Sequence, residues 1–150
     1  MKNIVAAIDF SDASKPVLEA AATLAKALDE ELHLVHVVEA EPAYAAYGFS
    51  PDDFPAMHEI QEKSLIRGEK KLSQMASEIR VEGVQTKILK GQPLHSILEY
   101  AKEVGADMLV LGSHGHGFLG SLLLGSVAEG CVRKAEIPAL IVPVGKNSKS

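Results

Sequence analysis

The residues best suited to chemistry lie together between Gly112 and Ser126, in the run Gly-Ser-His-Gly-His-Gly-Phe-Leu-Gly-Ser-Leu-Leu-Leu-Gly-Ser. Glycines let backbone N–H groups approach a ligand without obstruction by a Cβ. Just beyond them, Ser126-Val-Ala-Glu129 has the spacing of a capping box and predicts a helix start. Just before them, Met108-Leu-Val-Leu111 reads as a buried strand. Strand, glycine loop and helix N-terminus in succession make a site for an anion, above all a phosphate, because free amides and the helix dipole both favour negative charge.

Spacing narrows the chemistry. A Walker loop requires a lysine, and none lies in this stretch. Gly115-His-Gly-Phe-Leu-Gly120 spells a dinucleotide fingerprint, but it does not follow the first strand, and the position about twenty residues on, where an acid belongs, is Leu140. A hydrolase elbow requires glycine at position 111, which is leucine, so Ser113 does not read as a nucleophile. His114 and His116 could ligate a metal or move a proton, yet no third ligand is identifiable, and solvated loop histidines are the plainer reading.

The elements that must hold this loop are legible in order. Ile4–Ile8 is an apolar run of strand length ending at Asp9, with Ser11, Asp12 and Ser14 behind it as helix-cap candidates. Val17, Ala20, Ala21, Leu24, Ala25 and Leu28 recur at helical spacing, and Leu32–Val38 follows as a second buried strand in which His33 and His36 read as structural. Residues 39–55 hold Pro42, Pro51, Pro55, Gly48, Tyr44 and Tyr47, a long loop that could cover a ligand or pad an interface. Asp52 and Asp53 read as caps of the next helix, about 56–80, which carries Gln61, Leu65, Gly68, Leu72, Met75, Ala76 and Ile79 on one face.

Val84–Leu89 alternates as an edge strand would, and Pro93 opens a helix lined by Leu94, Ile97, Leu98 and Ala101. His58 and His95 lie near helix starts and read as surface residues. After the glycine loop a short helix runs from about Val127 to Ala135, and Pro138–Pro143 closes the pattern as a strand; 145–150 is a polar tail expected to fray. Strand and helix alternate throughout, which predicts an α/β fold with a parallel sheet and helices on both faces. With the strands in the order 3-2-1-4-5 the winding reverses between the first and fourth, and Asp9 meets Gly112 in one crevice. The bland readings of these residues are a cap for Asp9, a strand end for Gly112 and close helix packing for Gly125.

At 150 residues one domain over 1–150 is expected. The single cysteine, Cys131, sits among apolar neighbours as a small core residue, consistent with a reducing compartment. Net charge is −5 with 15 Lys and Arg scattered along the chain, so no nucleic-acid footprint is present. No apolar run is long enough for a signal peptide core or a membrane span, which predicts a cytoplasmic protein without a membrane partner. The last strand, 139–143, would be an uncharged edge, and a homodimer through it is expected.

The longer pattern Gly112, two residues, Gly115, nine residues, Gly125-Ser126 resembles the signature of the universal stress protein family in its ATP-binding class. The likeness extends through Ile-Asp-Phe-Ser at 8–11, His-Val-Val at 36–38, Leu-Gly-Ser-His-Gly at 111–115 and Pro-Ala-Leu-Ile-Val-Pro at 138–143. It implies a five-stranded, Rossmann-like parallel fold of the adenine nucleotide alpha hydrolase-like kind. It further implies that Asp9 and the backbone of Val37 face adenine and ribose. Gly112, Ser113, Gly115, Gly125, Ser126 and Val127 would enclose ribose and phosphates. The implied role is an ATP-binding regulatory or stress-response dimer with at most slow hydrolysis. A phosphoryl- or nucleotidyl-transfer enzyme using the same crevice is the alternative, disfavoured because the loop holds no Lys or Arg. Thin positive charge also calls for a divalent cation such as Mg²⁺ on the phosphates.

Overall fold

The computed structural model describes residues 3–39, 48, 55–114 and 124–143. The elements alternate as the periodicities predict: β1 (Asn3–Ala7), α1 (Ser14–Leu28), β2 (Glu31–Val38), α2 (Pro55–Glu78), β3 (Gln85–Lys90), α3 (Pro93–Glu103), β4 (Ala106–Gly112), α4 (Ser126–Lys134) and β5 (Ala139–Val142). Pro55 and Pro93 each stand first in a helix, where a missing N–H costs nothing. Gln92 caps α3 by accepting the His95 amide on its side chain at 2.7 Å.

All pairings are parallel, in the order β3-β2-β1-β4-β5. The α/β fold, its strand order and its two helical layers therefore match the expectation. Residues on one face of β1, Ile4 and Ala6, pack with Leu34 of β2, Val17 and Ala21 of α1 and Leu72 of α2. The residue between them, Val5, faces the other side and joins Val35, Leu109, Ile97 of α3 and Cys131 of α4. A strand buried on both faces must be apolar throughout, which is why β1 reads as an unbroken run. β3 and β5 are the edges, and Leu140 of β5 is 39% exposed. Among the described residues no helix is long and apolar enough to cross a membrane.

Two polar groups are built into this frame. His36 of β2 holds the carbonyl of Ile8 through Nδ1 at 2.7 Å, as a structural histidine should. His33, 5% exposed, pairs through Nδ1 with the Tyr100 hydroxyl at 2.9 Å and so ties β2 to α3. Its Nε2 is buried 3.7 Å from a carboxylate oxygen of Glu31. Burial lowers the His33 pKa below its ordinary 6.5, with Glu31 opposing the shift, because desolvation disfavours the charged ring.

A group whose folded pKa is depressed stabilises the fold fully above its unfolded pKa, and that contribution is lost as pH falls through the folded pKa. The wild type should therefore lose more stability than His33→Leu when the pH is lowered from 7.5 to 5. Urea unfolding midpoints at the two pH values measure this, and parallel losses would contradict it.

Candidate functional site

The topology fixes where a cleft can form. α1 and α2 cover one face of the sheet and α3 and α4 the other, so the chain leaves β1 and β4 in opposite directions. Among the described residues no helix then covers the gap at the carboxyl ends of these two strands, which pair directly. There the structure has a cleft of about 500 Å³, in the range of a small-molecule site. Its wall on the β2 side includes His36, Val37 and Glu39; Asp9 lies at the end of β1; Gly112, Ser113 and Gly125 form the β4 side. Ser126 and Val127 also line it. Every sequence-predicted site residue that is described thus faces one space, while Gly115 lies outside the described residues. The same is true of His116, Tyr44, Tyr47, Asp52 and Asp53.

The amide side is built by the backbone of Ser113. Its N–H donates to Val142 of β5 at 2.9 Å, and its carbonyl accepts the Gly125 N–H at 2.7 Å. These two bonds clamp both ends of the glycine loop and set the start of α4 against the end of β4. The Ser113 hydroxyl also lies 3.1 Å from Nδ1 of His114.

The start of α4 differs from the capping box expected at Ser126. Gly125 is the N-cap, in extended conformation and without a side-chain cap, and Ser126 is the first helical residue. Glu129 pairs instead with Arg133 one turn on, at 3.2 Å. The extended Gly125 begins the helix by accepting the Glu129 N–H on its own carbonyl at 2.9 Å, so the serine side chain is not required as a cap. The amides of Ser126, Val127 and Ala128 lie within the first turn, where an α-helix supplies them no partner, and they border the cleft.

The acidic side is also preorganised. Asp9 Oδ1 accepts the Ser11 N–H at 3.0 Å and the Ser11 hydroxyl at 2.6 Å, while Ser14 Oγ lies at 3.5 Å. The Ser11 oxygen in turn accepts the Ala13 N–H at 3.1 Å. Asp9 therefore shapes the turn before α1 without capping the helix itself, and it lines the cleft. The side-chain cap expected of Ser11, Asp12 or Ser14 is not formed at the N-cap itself, which is Ala13, because the Asp9–Ser11 turn already orders the entry.

Between Asp9 and Ser11, Phe10 has φ 63°, a left-handed conformation unusual for a bulky residue. Its ring lies 4.1 Å from that of His36 and beneath Lys71 of α2, whose Nζ is 5.1 Å from the ring centroid. Gly68 lets α2 come this close, since a Cβ there would lie 3.3 Å from Ile88 and 3.7 Å from His36.

His36 and Glu39 are the cleft residues that sequence reasoning left aside. His36 sits in an apolar strand and gives no local signal of a cleft. Glu39 was read as the first residue of a loop, although its position two residues after Val37 returns it to the same side of the strand direction.

Three comparisons bear on this architecture. Residues 1–143 match the profile of the Universal stress protein family. The chain belongs to the universal stress protein family. It is 34% identical to universal stress protein YxiE of Bacillus subtilis over 145 residues, covering 93% of this chain and 97% of that one. The solved structure of MJ0577, the subject of a structure-based assignment of biochemical function, superposes with a TM-score of 0.79 at 27% identity, covering 97% of this chain and 98% of that one. A universal stress protein from Archaeoglobus fulgidus, solved in complex with dAMP, gives a TM-score of 0.62 at 26% identity over 95% and 97% of the two chains.

The packing of this family member makes α4 dependent on one small residue. A Cβ on Gly130 would overlap Leu94 Cδ2 and approach Cδ1 to 3.2 Å. Gly130→Ala should therefore destabilise the protein by about 1–3 kcal/mol through overpacking. The double variant with Leu94→Val should cost less than the sum of its parts, because the two residues share one contact. Urea unfolding of the three variants tests this, and strict additivity would refute it.

Proposed function

We infer that this universal stress protein is an adenine-nucleotide-binding regulator, taking ATP in the cleft between Asp9 and the start of α4. The observation that carries the reading is the backbone clamp at Ser113, which holds the first-turn amides of α4 at the rim of the cleft. Amides fixed in this way suit phosphate oxygens, and the helix dipole reinforces them. A nucleotide complex of an Archaeoglobus fulgidus relative supports a ligand of this class. In this reading Asp9 and the backbone of Val37 face the nucleoside. Gly112, Ser113, Gly115, Gly125, Ser126 and Val127 enclose ribose and phosphates.

The described lining holds no Lys or Arg. A triphosphate bound there needs its charge balanced by a divalent cation such as Mg²⁺. Among the described residues no group of three His, Cys, Asp or Glu is placed to hold a metal by itself. The donor set therefore fits an ion carried chiefly by phosphate oxygens and water, which would supply charge neutralisation. The protein's own groups bind and orient: Asp9 is held by Ser11, and the α4 amides by Ser113. Nothing described positions a cation or an activated nucleophile at the far phosphate, so hydrolysis is slow and the bound nucleotide acts as a signal. The protein works in the cytoplasm as a homodimer joined through the β5 edge at 139–143, where Leu140 and, on α4, Val132 are exposed.

Calorimetry with ATP, ADP and AMP, with and without Mg²⁺, tests the site when paired with Gly125→Val. Gly125 has φ −64° and ψ 162°, a conformation valine accepts, so the variant folds while adding bulk at the cleft. Loss of binding is expected; unchanged affinity would place the nucleotide elsewhere. Sedimentation equilibrium at micromolar concentration should give the mass of two chains, and a monomer would remove the dimer from the account.

A further inference from the structure

The described lining of the cleft includes two acidic side chains, Asp9 and Glu39, and two imidazoles, His36 and His114. It holds no Lys or Arg, and α1, α3 and α4 bring only uncharged residues to it, among them Ser14, Ile97 and Val127. Lys71 lies over the Phe10 ring, outside the lining. In sequence, 40–54 contains Glu41, Asp52 and Asp53, and 115–123 contains His116, with no Lys or Arg in either stretch. An anion in this cleft therefore meets no permanently charged cationic side chain of the described lining. The positive charge that side chains can offer it there comes from imidazole alone, which titrates between about pH 8 and 5.

The two imidazoles stand on different sides. β2, β1 and β4 are adjacent in that order, so at about 4.8 Å between neighbouring strands the ends of β2 and β4 are about 10 Å apart. His36 belongs to β2, with Nδ1 on the Ile8 carbonyl at 2.7 Å and its ring against that of Phe10. His114 follows β4, and its Nδ1 lies 3.1 Å from the hydroxyl of Ser113. The Ser113 carbonyl accepts the Gly125 N–H at 2.7 Å, so the ring of His114 is fastened to the residue that also places the first turn of α4. A hydroxyl accepts from a protonated nitrogen as well as it donates to a bare one. Protonating His114 thus adds a positive charge on the amide side of the cleft and keeps the bond to Ser113.

We propose that His114 is the titrating cation of the cleft: once protonated it strengthens phosphate binding, so nucleotide affinity rises as pH falls across the imidazole range. The proposal rests on the nucleotide reading above and adds its regulation by pH. Attraction between charges needs no direct contact, and across a partly screened gap of about 5–8 Å one unit charge changes affinity about tenfold. Carboxylates ordinarily complete their titration below this range, which leaves imidazole to set the profile.

Calorimetry with ATP and Mg²⁺ on the full chain at about pH 8 and about pH 5.5 tests this. His114→Asn keeps a polar group beside Ser113 but takes no charge, and His116→Asn is the control for the neighbouring imidazole. Circular dichroism at both pH values verifies the fold, and the ratio of each variant's Kd to that of wild type cancels the titration of ATP itself. For His114→Asn the ratio should be near unity at the higher pH and about tenfold at the lower; for His116→Asn it should stay near unity at both. By linkage, wild type should also take up more protons than His114→Asn on binding ATP near neutral pH, read from binding heats in buffers of different ionisation enthalpy. A ratio for His114→Asn that is the same at both pH values would overturn the proposal, even with weaker binding throughout, because a merely structural role carries no pH dependence. A pH-dependent ratio found only in His116→Asn would overturn it as well. Either result leaves nucleotide binding standing, whereas ATP that binds wild type at neither pH would overturn the nucleotide reading together with the proposal.

Discussion

The parallel pairing of β1 with β4 is the constraint on which the remaining structure depends. These two strands are adjacent in the sheet although far apart in sequence, with Ile4 opposite Met108 and Ala6 opposite Val110. Because the chain leaves them toward opposite faces, the carboxyl end of the pair is the one place that no crossover helix can cover. The cleft follows from connectivity, and side chains only decide what it accepts. Burial of β1 on both faces, with Ile4, Val5 and Ala6 fully buried, keeps that pairing fixed and the cleft preformed.

The chemistry on either side of the cleft is set by backbone more than by side-chain charge. On the β4 side, the two hydrogen bonds of Ser113 join β5, β4 and α4 in one clamp. On the β1 side, the left-handed Phe10 turns the chain so that Asp9 and Ser11 can close their hydrogen-bonded turn, and stacking on His36 holds Phe10 in place. A conformation that a bulky residue rarely adopts persists only where surrounding contacts over-determine it. α2 supplies such contacts through Lys71 and the close approach at Gly68, so this side of the cleft is tied to the long helix.

Most of the fold was legible in the sequence because its signals are local. Apolar runs at 4–8, 32–38 and 108–111 separate amphipathic helices, and that alternation admits few topologies. The glycine pattern at 112–126 and Asp9 after the first strand point, by spacing alone, to opposite sides of one crevice. What escaped were features created by long-range approach. Nothing near Gly130 announces Leu94, and nothing near His33 announces Tyr100, 67 positions away. The caps expected of Ser11, Asp12 or Ser14 at α1 and of Ser126 at α4 fail for the converse reason. Cap-forming residues are a local signal, but the Asp9–Ser11 turn orders the entry to α1 and the extended Gly125 begins α4.

The central claim is that the cleft between Asp9 and α4 holds an adenine nucleotide. The most direct measurement is to release the small molecules from freshly purified protein, identify them by mass, and return each to the stripped protein. The account predicts an adenine nucleotide bound near one per chain and taken up again after stripping. Protein that is free of nucleotide when purified, and takes up none at millimolar concentration, would contradict it.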